Sequence, residues 1–187
     1  MERRIASGAA FVLMSALCLG LLFGGEHVRA GSIEKLQYGD LTDKEDCIRN
    51  YVLSYRDRDI ARTDEVLHDD YVFCASDVKG EMSRKAELQE LKNMFDAFTI
   101  FGLDIQAGDW NPVSEFRGAK CEGCWETARG YVLVYSDLDK PAKIHVANSR
   151  FRVIVAPVTE QGATHYKIRA IEDSRQPDVS ETIEAPE

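Results

Sequence analysis

The chain has 187 residues, of which 44% are apolar and 29% charged, a balance that suits one soluble domain with extra segments. Lys and Arg number 23 against 32 Asp and Glu, a formal net charge of −9. That excess of carboxylates excludes general nucleic-acid binding, which needs cations to displace phosphate counterions, and offers no basic surface to an anionic lipid layer.

Arg3 and Arg4 precede an apolar run over residues 9–23, and Val28-Arg29-Ala30 places small residues at the two positions a signal peptidase reads. The pattern predicts a signal peptide over 1–30, cut after Ala30, and a periplasmic or secreted protein. The run is shorter than the roughly 20 residues of a comfortable membrane span, so no stable membrane insertion is expected after cleavage. Leu17 stands before Cys18 where lipidation needs a small residue. The mature chain keeps 20 basic and 30 acidic residues, or −10.

Export changes what the cysteines mean. Cys47, Cys74, Cys121 and Cys124 remain, an even number in an oxidising compartment, and three pairings are open. Cys121-Glu-Gly-Cys124 is the closest pair. A redox-active CxxC opens a helix that lowers the thiol pKa, whereas Trp125 onward reads as strand, so a structural disulfide is expected. Trp125 stands where a c-type haem motif needs His, and Cys47 and Cys74 lack the close partner spacing of a zinc site. No metal or cofactor is expected.

Residues 31–41 read as a leader and 42–175 as the folded domain. Thr42-Asp43-Lys44-Glu45 fits a capping box, with Thr42 as the cap. The helix it opens runs to about Arg58, with Cys47, Ile48, Tyr51, Val52 and Tyr55 on one face. A short second helix follows over 60–67, then His68-Asp69-Asp70 as a polar turn and Tyr71-Val72-Phe73-Cys74 as entry to a strand. Ser83 caps a third helix, 84–98, whose stripe is Leu88, Leu91, Met94, Phe95 and Phe98.

From Thr99 the apolar period becomes two, with Phe101, Leu103, Ile105 and Ala107 alternating with polar residues and Gly. Trp110-Asn111-Pro112 ends that strand and residues 118–123 form a turn. Strands are expected over 125–137, 143–158 and 166–173. A phase slip at Ala147–Ser149 predicts a bulge. Gln161-Gly162 turns the last hairpin, and antiparallel pairing is expected to set Val155 near Thr164, which keeps His145 and His165 apart. Residues 174–175 close the domain, and residues 176–187 read as a flexible tail. The order gives an α+β fold: three N-terminal helices on one face of a strongly curved, mostly antiparallel sheet. Strands such as 125–135 are apolar on both faces, so a homodimer through the sheet is expected.

The run Ile48-Arg49-Asn50-Tyr51-Val52, then Asp59, then Leu67-His68-Asp69-Asp70-Tyr71-Val72-Phe73, resembles the opening of the nuclear-transport-factor-two-like superfamily. Gly80 with Ser83-Arg84-Lys85-Ala86-Glu87-Leu88, and the closing Tyr166-Lys167-Ile168-Arg169-Ala170-Ile171-Glu172-Asp173, extend the resemblance over about 43–174. It implies a cystatin-like cone with a pocket at its wide end, used by ketosteroid isomerases, dehydratases and cyclases and by many binding modules.

In the isomerases of that superfamily the helix tyrosine falls on Tyr51, but the catalytic base falls on Ala75 and the oxyanion acid near Ser149. Ala cannot move a proton, so an enzyme is not the favoured expectation. The catalytic candidates are Tyr51, Asp77 and His145. The expected function is an exported binding or interaction module, with a small apolar or aromatic ligand lined by Tyr51, Tyr55, Phe73, Met94, Phe98 and Trp110. The alternative is an isomerase or lyase using Tyr51 with Asp77 or His145. His165, on the face of Lys167 and Arg169, reads as a solvated edge.

Overall fold

In the computed structural model, residues 37–75, 80–174 and 180–184 are described, and residues 38–187 form one compact unit. The expected signal peptide and nearly all of the expected leader, like Asp77, lie outside the described residues.

Helix α1 spans Lys44–Asp57. Its cap is Asp43, not Thr42: the Asp43 carboxylate accepts the Glu45 amide at 2.7 Å, and Thr42 instead donates its hydroxyl to Asp40. Glu45 is thereby free to reach the sheet. Arg58 ends the helix in the left-handed conformation (φ 54). Of the predicted face Cys47, Ile48, Tyr51 and Tyr55 are buried and Val52 is half-buried; Leu53 is buried too, and Asn50 and Ser54 join it because their polar groups are met. Asn50 exchanges hydrogen bonds with the Gly39 backbone at 2.7 and 2.9 Å. Ser54 donates to the Tyr51 carbonyl at 2.7 Å and accepts from Thr63 of the next helix at 2.8 Å.

Helix α2 is Ile60–Val66, capped by Asp59. Strand β1 begins at once, Leu67–Ala75, so His68-Asp69-Asp70 lies within a strand and not in a turn. Pairing jumps from Leu67↔Ile168 to Val72↔Ala170, leaving residues 68–71 as a bulge that absorbs the polar triplet. The two-residue strand β2 is Met82–Ser83, and α3 is Arg84–Ala97 with Ser83 as cap. Two strands therefore separate the third helix from the first two: β1, where a strand was expected from Tyr71, and β2, which was not expected. Arg58 donates to the Phe95 carbonyl and ties α1 to α3.

The remaining strands are β3 Phe98–Ile105, β4 Asn111–Phe116, β5 Ala119–Asp137, β6 Lys143–Glu160, β7 Ala163–Asp173 and β8 Ser180–Glu184. They form one sheet in the order β2-β1-β7-β6-β5-β3, with β4 on β5 and β8 on β6. Only β1 with β7 is parallel among these pairings. β8 falls where a flexible tail was expected, pairing Lys143–Ala147 beyond the end of β7. β4 starts at the Asn111-Pro112 step that was read as a strand end.

The bulge predicted at Ala147–Ser149 is absent: β5 and β6 pair without a break from Ser136↔Ile144 to Trp125↔Val155. The irregularity lies instead at Ile154–Val155 against β7. The turn is where it was expected, at Gln161-Gly162, but it pairs Thr164 with Thr159, and Val155 faces Ile168, four residues from the expected Thr164. His165 pairs Val158 while His145 pairs Tyr135, so the histidines stay apart.

Alternation along β6 divides the interior in two. Phe151, Val153 and Val155 join the main core with α1, α3 and the inner face of the sheet. Ile154 and Ala156 face outward into a second cluster with Phe116, Cys121, Cys124 and Ala170. That outer cluster is closed by the β4–β5 hairpin. Cys121 and Cys124 are disulfide-bonded, and they bracket a bulge: Val113 pairs Cys124, but Glu115 pairs Lys120. Gly123 stands in the bulge at φ +71, and a Cβ there would come 2.9 Å from the Pro157 ring. Cys47 and Cys74 are not bridged. The buried Cys47 thiol donates to the Tyr166 carbonyl, and Cys74 lies 2.6 Å from the Arg117 guanidinium.

Candidate functional site

Between α1, α3 and the inner face of the sheet the structure leaves a cavity of about 280 Å³. α1 contributes Tyr51 and Tyr55, one turn apart; α3 contributes Glu87, Leu91 and Met94. Phe73, Leu103, Tyr131, Leu133, Phe151, Ile171 and Asp173 come from the strands, and Met82 and Glu90 stand beside them. The walls are apolar and aromatic; the polar groups are tyrosine hydroxyls and carboxylates.

Two buried carboxylates organise it. Asp173, 6% exposed, accepts from the Tyr131 hydroxyl at 3.0 Å and from Ser149 Oγ at 2.9 Å. Glu87, 4% exposed, accepts from the Tyr51 hydroxyl at 3.5 Å, and Tyr51 and Tyr55 share a hydrogen bond of 2.9 Å. Such charge-assisted bonds are what make a buried carboxylate tolerable. Burial, reinforced by Tyr55 and Glu87, holds the Tyr51 hydroxyl protonated far above the ordinary tyrosine range. Tyr71 behaves alike, through burial first and then Glu87 and Tyr55, and its buried hydroxyl has no hydrogen-bond partner. The cavity thus sets protonated tyrosine hydroxyls beside the carboxyl groups of Glu87 and Asp173.

Tyr51, Tyr55, Phe73 and Met94 line the cavity as expected from the sequence. Phe98 and Trp110 do not. Phe98 packs edge-on against Tyr135, with ring centres 5.1 Å apart. Trp110 donates to Glu45 at 2.8 Å and lies under the Arg129 guanidinium. There the buried Arg129 side chain also bonds Glu45 and binds the sheet to the start of α1. His145 stacks on Tyr135 and sits 3.4 Å from Asp137, in a cluster that does not line the cavity. Asp77 lies outside the described residues.

Sequence reasoning missed Glu87 and Asp173. Glu87 lies four residues before Leu91 and eight before Phe95, hence on the same helical face; a stripe drawn through apolar residues alone omits it. Asp173 continues the inward alternation from Ile171, although it looked like the end of a strand. Its backbone partner is Ala75, the position where the isomerases carry their base. Across the sheet it bonds Ser149, the position nearest their oxyanion acid. A carboxylate therefore enters the cavity from the neighbouring strand.

Outside the cavity, an open groove of about 580 Å³ runs past Arg84, whose guanidinium is held by Asp64 at 2.7 Å and Asp69 at 2.5 Å. Among the described residues no group of three or more His, Cys, Asp and Glu is placed to hold a metal ion. No described helix is long and apolar enough to cross a membrane.

No protein-family model and no curated protein matches this chain by sequence. Solved structures do match by fold. An NTF2-like protein of unknown function in nutrient uptake from Rhodospirillum rubrum is 17% identical, with 74% of this chain and 99% of that one covered and a TM-score of 0.54. Hexachlorocyclohexane dehydrochlorinase LinA-type3 from Novosphingobium barchaimii is 9% identical, with 74% and 86% covered and a TM-score of 0.58. A protein with a cystatin-like fold from Caulobacter vibrioides is 15% identical, with 75% and 93% covered and a TM-score of 0.51. With three helices and an open curved sheet among its described residues, this chain has the nuclear-transport-factor-two-like, cystatin-like fold.

Proposed function

We propose that the protein is an exported small-molecule-binding module, released by cleavage after Ala30. Its cavity is the pocket at the wide end of a cone made by the curved sheet around α1. One observation carries the reading: apolar walls converge on two hydrogen-bonded carboxylates, Glu87 and Asp173, in an otherwise packed interior. A filled core has no use for a buried carboxylate, which costs several kcal/mol to desolvate. The volume lies near the low end of the roughly 300–1,000 Å³ of ligand pockets, so the ligand is about one or two rings in size. The disulfide is in keeping with an oxidising compartment.

Native mass spectrometry of protein recovered from its producing cells tests this. The expected result is a mature N-terminus at Gly31 and a small molecule that leaves on unfolding. A chain retaining residues 1–30, or a cavity that takes up no small molecule from a fragment library, contradicts it.

A second reading is favoured by the pairing of Ala75 with Asp173. A carboxylate supplied from β7 would replace the base missing at Ala75, with Tyr51 as hydrogen-bond donor, in an isomerase or lyase. If Asp173→Asn leaves a discovered turnover intact, that reading is excluded. A homodimer through the sheet is also proposed, over the end where Phe101 is 56% and Leu138 49% exposed. Light scattering that finds only monomer at high concentration refutes it.

A further inference from the structure

Oxidisable sulfur is placed unevenly in the chain. Of the four methionines, Met1 and Met14 fall in the expected signal peptide, and the other two, Met82 and Met94, both line the inner cavity. They come from different elements. Met82 pairs on β2 with Phe73 of β1, itself a lining residue, and Met94 lies one turn beyond Glu90 on α3. Both methionines are half-buried and Glu90 is exposed, so the cavity meets solvent beside α3, where a small oxidant has access to both sulfurs. The cysteines are placed otherwise. Cys47 is buried with its thiol donated to Tyr166, Cys121 and Cys124 are already paired, and Cys74 stands against Arg117, away from the cavity lining.

We infer that Met82 and Met94 form a modification site, through which a peroxide lowers the affinity of the cavity for apolar ligands. This rests on the cavity being a ligand site. Each thioether sulfur attacks one peroxide oxygen: the O–O bond breaks, a sulfur–oxygen bond forms, the sulfur is oxidised by two electrons and, with hydrogen peroxide as the oxidant, water leaves. The product is a polar sulfoxide on a wall that also carries Phe73, Leu91, Leu103 and Phe151. A ligand seated there must bury the S=O dipole or leave it room for water, and either weakens binding. Both methionines pack only at the margin of the main core, so the sulfoxides can turn toward solvent and the fold is kept.

A neutral solvatochromic naphthalene dye, titrated into the purified protein before and after hydrogen peroxide, tests the inference. Peptide mass spectrometry counts the sulfoxides and circular dichroism follows the fold. The expected result is a sulfoxide on both methionines, an unchanged fold and dye binding weakened about tenfold. Methionine sulfoxide reductases, one for each epimer, are expected to restore binding. The double variant Met82→Leu/Met94→Leu, close in volume to the original, is read against its own untreated affinity, which peroxide is expected to leave unchanged. Four results overturn the inference while dye binding keeps the cavity reading: full affinity with both sulfoxides in place, methionines that stay reduced in the folded protein, a loss that the reductases do not reverse, or a double variant as sensitive to peroxide as the unaltered protein. If the dye does not bind the untreated protein, the cavity reading fails and the inference with it. Should the double variant not fold or not take the dye, the reductase reversal decides.

Discussion

Ile154 and Val155 are adjacent on β6 and both are fully buried, yet they belong to different interiors. Val155 faces α1 and the large inner core, where aromatic side chains, two carboxylates and a cavity share the space. Ile154 faces the outer cluster, where Phe116, Ala156, Ala170 and the disulfide pack beneath the β4–β5 hairpin. Both surfaces are apolar enough to drive folding. Only the inner one spends part of its volume on groups that do not help packing. The outer side is built for closure and the inner side for chemistry.

Truncation should separate the two most strongly. Ile154→Ala removes packing from a closed site and is expected to cost about 4 kcal/mol in denaturant unfolding, while Leu103→Ala, beside an existing cavity, should cost only about 2. Equal losses would mean that the inner space closes around a deletion as readily as the outer.

Alkaline titration sharpens the contrast, because the raised tyrosines named here, Tyr51 and Tyr71, lie on the inner side. In the folded state both hold their protons above the ordinary value near 10, while the unfolded chain releases them there. Their contribution to stability is complete below about pH 10 and is lost as pH rises further, by about 1.4 kcal/mol per group for each pH unit. Tyrosinate absorbance from these two should appear only with unfolding, and Tyr51→Phe should reduce the alkaline slope. Tyrosinate from both in the folded protein would show them accessible to water.

The disulfide tests the outer side alone. Replacing Cys121 and Cys124 together by Ser should cost about 2 kcal/mol for so short a loop, and leave fragment uptake by the cavity unaltered. A change in cavity binding would show the two interiors to be coupled. The smallest stability effect is expected from Asp173→Asn, about 1 kcal/mol, since the amide still accepts from one hydroxyl. Its effect should fall on which fragments the cavity takes up.

The sequence disclosed the outer architecture well and the site only in part. Helical periodicity found α1 and its tyrosines, and Ser83 marked the start of α3 through its side-chain cap, whereas the Asp59 cap of α2 was not recognised. Thr42 misled because Asp43, one residue on, is the stronger acceptor and Glu45 is drawn to Arg129. The polar triplet His68-Asp69-Asp70 looked like a turn because a strand bulge has the same composition. Two of the six predicted lining residues, Phe98 and Trp110, fall outside the cavity because these aromatics found partners nearer by, Tyr135 and Glu45. Glu87 and Asp173 were overlooked because a pattern drawn on apolar residues passes over a carboxylate buried for a purpose. Their positions on the inward faces of α3 and β7 were readable; their being buried was not, since that depends on tyrosine hydroxyls distant in the chain.

A crystal structure of the protein grown with a small aromatic molecule that it takes up from a fragment library tests the central claim most directly. The predicted result is ligand density between α1 and the sheet, its ring against Tyr131 or Phe151. Density only on the outer surface, or an inner cavity collapsed and closed by Met94 and Tyr55, would contradict it.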